Sequence, residues 1–216
     1  MSTVMYTPEF SLSESEKIAK ELFGISGIAS PLPGERDQNF FIDCGGGKMY
    51  VLKIANAKED INFLNAETKL IQHLHSGTKL VPEVIPDLNG NIVSHYRQEN
   101  KSFSVRMISF INGKPLGLVK RSSNGLFEEI GKSVGEISKC LNGYSDPSFK
   151  RDFLWDIRNG LDIIKKYNSL IMDEELKEIV NKIADSFRKT VLPLDEKLRK
   201  SLIYNDANDF NILMAD

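Results

Sequence analysis

Near the carboxyl end, Asp206 and Asn211 stand five positions apart in Leu202–Met214, LIYNDANDFNILM. Apolar residues flank them, Leu202-Ile203 before and Ile212-Leu213-Met214 after. Runs of that length predict two short buried strands with a tight polar loop between them. An aspartate and an asparagine at the two ends of one loop can do two jobs at a single phosphate. The carboxylate receives or orients a hydroxyl proton, and the amide oxygen supplies a hard ligand for Mg²⁺. The spacing alone also describes an Asn/Asp-rich turn, so the reading needs support from upstream. Lys53 offers it, a lysine inside the otherwise apolar run KMYVLKI. Its stem is easily buried, whereas its ammonium requires a counter-charge or water. Period-two alternation equally permits a solvent-facing lysine, as at Lys48.

These residues must be positioned by elements that the chain signals in order. Ser13 followed by Glu16 is a capping-box pattern, and Gly24 stands past the expected end, which predicts a short helix over 11–22. Two prolines, two glycines and several polar residues make 27–39 a turn. NFFID and KMYVLKI read as a hairpin closed by Gly45-Gly46-Gly47, which accept positive φ. Ile61, Leu64, Leu70, Ile71 and Leu74 have helical spacing within 59–75. Strands are expected at 82–85, 91–96 and 102–108, with Asn89-Gly90 and Glu99-Asn100 as hairpin turns. Beyond the connector Ser109–Gly113 the pattern becomes helical, over 126–141, 149–167 and 173–190. Asp173 with Glu174 and Glu175 suits a helix N-terminus. Pro193 opens a further short helix through 198.

The chain has 216 residues, enough for one large domain or two small lobes. Hydrophobic content of 41 % and charged content of 27 % are ordinary for a globular protein. A net charge of −2 gives no reason to expect a nucleic-acid partner. No apolar run approaches the ~20 residues of a membrane span, and no signal peptide is visible, so no membrane partner is expected. Cys44 and Cys140 fit neither a disulfide framework nor a zinc site and read as small buried hydrophobes in a reducing cytoplasm. His73, His75 and His95 show no metal spacing.

The wording NDANDFNIL resembles the catalytic loop of the aminoglycoside phosphotransferase/choline kinase-like superfamily, usually H-G-D-x-x-x-x-N-[IV]-L. It looks closest to the hydroxylysine-kinase-like branch, which also occurs fused ahead of class III aminotransferase domains. The resemblance implies an α+β, bilobal protein-kinase-like fold. Residues 1–108 would form a nucleotide-binding lobe of antiparallel sheet plus helix, 109–113 the interlobe linker, and 114–216 a partial, mostly helical lobe carrying the catalytic loop. It implies ATP or another NTP with Mg²⁺, bound in the cleft between lobes, and a small-molecule hydroxyl substrate of amine- or amino-acid-like character. Asp206 would be catalytic and Asn211 the metal ligand, with Asn208 and Asp209 stabilising the loop. Lys53 would contact the nucleotide phosphates and Glu67 would pin that lysine, with Glu59 the alternative at the helix start. The turn 30–39 would cover the phosphates. The kinase G-x-G-x-x-G is absent there and only Gly34 is present, so protein kinases match poorly. Met107–Gly113 would hold adenine through backbone groups. Trp155-Asp156 resembles a pair in the same branch; an acidic residue there would be able to meet a substrate amine, but a packed helical tryptophan is the plainer explanation and is preferred.

Two departures set further expectations. Tyr204 stands where the superfamily has a histidine that braces the loop. The superfamily's second metal-binding aspartate, fifteen to twenty residues beyond the asparagine, has no counterpart, because Asp216 follows Asn211 by only five positions. The expectation is therefore a truncated fragment whose own activity is in doubt. Self-association or fused downstream domains would then cover the face left by absent helices. A catalytically inactive kinase-like binding or regulatory module is the alternative.

Overall fold

Helix α1, Leu12–Phe23, begins where Ser11 caps it: Glu14 N–H donates to Ser11 Oγ, and the Glu14 carboxylate accepts from the Ser11 N–H. The capping box is thus two residues earlier than Ser13 and Glu16 suggest, because the first of the three serines takes the extended backbone that a cap requires. Gly24 ends the helix in the left-handed region at φ 68°. In the computed structural model, residues 7–34, 36–120, 123–150 and 156–215 are described.

Strand β1, Ile28–Leu32, forms inside the stretch that the prolines mark as a turn. It is an edge strand pairing only with β2, Gln38–Asp43, so Pro31 has a ladder side on which no N–H is needed. β2 and β3, Met49–Ile54, make the expected glycine-closed hairpin, with Gly45, Gly46 and Gly47 all at positive φ. Helix α2, Ile61–Gly77, starts at Asp60, whose carboxylate accepts from Asn62 N–H. Three strands follow, β4 (Val84–Ile85), β5 (Ser94–Gln98) and β6 (Lys101–Ser109). All pairings are antiparallel. The order is β1-β2-β3-β6-β4, and β5 shares with β4 the edge of β6 that faces away from β3. The Asn89-Gly90 turn exists but joins no hairpin, since β4 and β5 each pair with β6. Asp87 closes it, accepting from the amides of Asn89 and Asn91 at 2.8 Å.

Register divides the sheet into two faces. Phe40, Ile42, Leu52, Ile54, Phe103, Val105 and Met107 fall on one face and pack with Phe10, Ile18, Ala19 and Phe23 into the core. Burying one such side chain contributes about 1.5–3 kcal/mol. Asn39, Lys53 and Arg106 fall on the other face. This alternation keeps the charged groups in line with one another, and it places them on the side that α2 reaches.

After β6 come β7 (Lys114–Pro115), α3 (Asn124–Cys140), α4 (Gly160–Tyr167), α5 (Glu174–Thr190) and β8 (Leu213–Met214). Asp173 caps α5, accepting from the amides of Glu175 and Leu176. The helix expected over 149–167 is instead a 3-10 turn at Pro147–Phe149, a second at Ile157–Asn159 and then α4; 151–155 lie outside the described residues. Pro193 sits in a 3-10 helix, Leu192–Lys197. Leu202-Ile203 forms no strand, whereas Leu213–Met214 does. The chain falls into two compact units, Met1–Phe149 with Leu202–Asp216, and Lys150–Ser201, so the division does not follow the composition shift near residue 109.

Candidate active site

The Asp206 loop is tied together by three side chains. Asn208 Nδ2 donates to Asp206 Oδ1 at 2.9 Å, and Asn211 Nδ2 donates to Asp206 Oδ2 at 2.7 Å and to its carbonyl at 3.0 Å. Asn208 Oδ1 in turn accepts from the amides of Phe210 and Asn211 at 2.9 and 3.1 Å. Asn205 opens the turn in the left-handed region, at φ 57°, which asparagine tolerates better than most residues. The direction of the Asn211 amide follows from its partners: two oxygens of Asp206 demand the NH₂ end, so Oδ1 is the end left for a cation. The loop is seated on the segment after the linker. β7 pairs with β8, Leu116 N–H donates to Ile212 O at 2.9 Å, and Gly117 N–H donates to Asp209 O at 2.7 Å.

Lys53, on β3, is half-buried, and its Nζ donates to Asn39 Oδ1 at 3.0 Å. Burial pushes its pKa below the ordinary lysine value, and the neighbouring Arg106 pushes it further down; Asp37 and Glu67 act the other way. Glu67 is on α2 as expected, but its carboxylate is bonded to Arg106 Nη1. The anticipated lysine–glutamate pair is therefore replaced: an arginine one strand over competes with better reach and more donors. Glu59 pairs with Arg36 at 2.7 Å. Gly34 lies where a Cβ would be 2.6 Å from Asn39 Nδ2 and would overlap the Asp37 carbonyl, so no larger residue fits that turn.

Three residues here carry no sequence motif. Asn39 bridges the site, its Nδ2 donating to Pro33 O at 2.9 Å while its Oδ1 holds Lys53. Asp37 accepts from Asn56 N–H at 3.1 Å and lies 3.8 Å from Arg106 Nη2. Arg106 is the register partner of Lys53. The register of a KMYVLKI–FSVRMIS strand pair is the signal that would have exposed it.

The chain matches no protein-family model. It is 26 % identical over 226 residues to hydroxylysine kinase of Mus musculus, covering 96 % of this chain and 59 % of the relative. To hydroxylysine kinase of Xenopus laevis it is 29 % identical over 224 residues, with the same coverage. A spectinomycin phosphotransferase solved with ADP and spectinomycin superposes at TM-score 0.65 and 16 % identity, over 97 % of this chain and 67 % of that one. An amicoumacin kinase solved with AMP-PNP and Ca²⁺ gives 0.61 and 18 %, over 89 % and 55 %. The chain is thus similar in sequence to hydroxylysine kinases and shares the fold of these two phosphotransferase structures. It spans about 60 % of the length of the curated relatives it matches.

Within this α+β kinase-like fold, two residues that the resemblance singles out can be placed. Tyr204, at the bracing-histidine position, is 40 % exposed, and burial together with the Asp206 charge raises its pKa, so its hydroxyl stays neutral. Asp156 is engaged by its own neighbour: it caps the 3-10 turn and accepts from Arg158 Nε at 3.0 Å, which holds its pKa down at about 2. Trp155 lies outside the described residues.

Proposed function

We propose that this chain binds ATP or another NTP with Mg²⁺ and directs phosphoryl transfer to a hydroxyl of a small amine- or amino-acid-like molecule. The observation that carries the reading is the loop in which Asn211 holds both the carboxylate and the carbonyl of Asp206. That arrangement fixes a proton acceptor beside an amide oxygen suited to a hard cation. Residues 1–108 would serve as the nucleotide-binding lobe, 109–113 as the linker, and 114–216 as the part bearing the loop.

The residues fit the nucleotide. Lys53 presents an ammonium held only by a neutral amide among the described residues, and the turn at Gly34 admits close backbone approach. Bound with the metal, the nucleotide supplies the phosphoryl group and much of the charge neutralisation. Asp206 orients the acceptor hydroxyl and takes its proton at a carboxylate oxygen. Asn208 and Asn211 keep that carboxylate from rotating, and positioning is most of what such a transfer demands. Relatives named hydroxylysine kinase make hydroxylysine the first acceptor to try.

The test is phosphate transfer from ATP to hydroxylysine and related amino alcohols, with nucleotide binding followed separately by calorimetry. Asp206→Asn is expected to lose at least ~10²-fold in turnover while nucleotide affinity stays within about twofold. Transfer by that variant at the unmodified rate would sink the assignment. Tyr204 favours a second reading, a kinase-like binding or regulatory module without catalysis, and nucleotide binding with no transfer to any acceptor would establish it.

A further inference from the structure

Two cations lie side by side on adjacent strands. Lys53 on β3 and Arg106 on β6 are register partners and share a face of the sheet. The groups facing them are Asp37 before β2, Asn39 on β2 and Glu67 on α2. The carboxylate from the helix has gone to the arginine. Arg106 Nη1 donates to Glu67, and Nη2 lies 3.8 Å from Asp37 Oδ2. Arg106 is 4 % exposed, and its Nε is buried without a hydrogen-bond partner among the described residues. Such an arginine has no route to water, so it holds whichever carboxylate comes within reach. Glu67, with its side chain 40 % exposed, is the solvent-facing member of the pair.

We propose that Arg106 is a positioning residue: it sequesters the Glu67 carboxylate and so keeps the Lys53 ammonium on the neutral Asn39 amide, available to an anionic phosphate. The inference rests on the reading of Lys53 as a phosphate contact. A lysine already neutralised by a carboxylate must exchange that partner for phosphate. One held by an amide gains its first full counter-charge when phosphate arrives. Asn39 extends the effect, because the amide that holds Lys53 also holds the Pro33 carbonyl of the turn that Gly34 shapes. The arginine, the lysine and that turn therefore form one connected unit.

The experiment compares Arg106→Met, Arg106→Lys, Glu67→Gln and the double variant Arg106→Met/Glu67→Gln. The Lys53 titration is followed by NMR of ¹³C-labelled lysine in the nucleotide-free chain, and AMP-PNP affinity by calorimetry. In Arg106→Met, Glu67 is released to Lys53, the lysine pKa rises, and nucleotide affinity falls at least ~10-fold. The double variant removes the released carboxylate and recovers most of that affinity, while Arg106→Lys keeps a cation and loses less than Arg106→Met. Glu67→Gln alone moves the Lys53 titration far less than Arg106→Met does. An unmoved lysine titration in Arg106→Met overturns the proposal, as does a loss of affinity that the double variant fails to restore. Should Arg106→Met not fold, a large downward move of Lys53 in Glu67→Gln overturns it, because that would show Glu67 serving the lysine directly. Failure of the unmodified chain to bind nucleotide would instead remove the phosphate reading, leaving the titration to decide where Glu67 belongs.

Discussion

At the scale of single residues, the candidate site combines partners that are near in sequence with partners that only the sheet brings together. Asp206 and Asn211 are five positions apart, and the loop that joins them is closed by their own side chains, so spacing encodes contact. Lys53 was legible because a lysine amid Met49, Tyr50, Val51, Leu52 and Ile54 is chemically out of place. Arg106 was not: between Val105 and Met107 it falls on the alternate position of a strand, which normally means solvent. Only the fold reveals that α2 reaches that face and that β3 brings Lys53 opposite. The Lys53 ammonium yields a prediction of its own. Its pKa is lowered by burial first and Arg106 second. Between that lowered native value and the ordinary ~10.5 of an unfolded lysine, the unfolded chain holds the extra proton. Stability attributable to Lys53 therefore increases with pH across that window. On the proposed phosphate contact, nucleotide affinity would run the opposite way, since the phosphate would lose the ammonium as pH passes the native value. Calorimetric titration with AMP-PNP at stepped alkaline pH should show this weakening in the unmodified chain, and Lys53→Met should flatten it. An equally steep decline in the variant would assign the effect to another group.

Among the elements, local chemistry was readable and tertiary overrides were not. Gly45-Gly46-Gly47 and Asp173 announced a hairpin and a helix start because the required backbone and capping chemistry belongs to those residues themselves. The strand β1 was hidden by Pro31, which is disallowed in a central strand and harmless at an edge. Leu202-Ile203 carried a strand-like run that finds no partner strand among the described residues, whereas Leu213–Met214 finds β7. That small β7–β8 pair aims the loop, and Gly113 permits it. A Cβ there would stand 2.9 Å from the Met214 carbonyl oxygen and 3.0 Å from Leu213 Cβ. Gly113→Ala should therefore push β8 away, at a local cost of ~1–3 kcal/mol. The Leu116 amide, bonded to Ile212 O, should then exchange ~10-fold or more faster by hydrogen-exchange mass spectrometry. On the proposed function, turnover should fall while nucleotide affinity holds. Unchanged exchange at Leu116 would show that the pair does not seat the loop.

For the whole molecule, composition suggested one division and the contacts made another. The shift from strands to helices near residue 109 is real, yet the segment from Leu202 onward returns to the unit that holds the sheet. Its anchors are backbone bonds from Leu116 and Gly117, which leave no mark in side-chain periodicity, so no pattern in the sequence announces the return. The two units also differ in how much apolar surface each encloses. The first contains the cluster built on Phe40, Ile42, Leu52, Ile54, Val105 and Met107. In Lys150–Ser201 the one buried side chain among the described residues is Ala184, while Leu176, Ile179 and Ile183 on α5 are 49 %, 47 % and 62 % exposed. Helices whose apolar face is left in water are held mainly by their own hydrogen bonds and caps, which alone give marginal stability. Amides of α4 and α5 should consequently exchange at least ~100-fold faster than those of Leu52, Val105 and Met107, whose opening requires disrupting the sheet core. Denaturant titration should show the same order, with the helical unit losing protection at concentrations that leave β3 and β6 intact. Equal protection across α5 and β6 would mean that the apolar face of α5 is covered in solution, and the units would then have to be treated as one cooperative body.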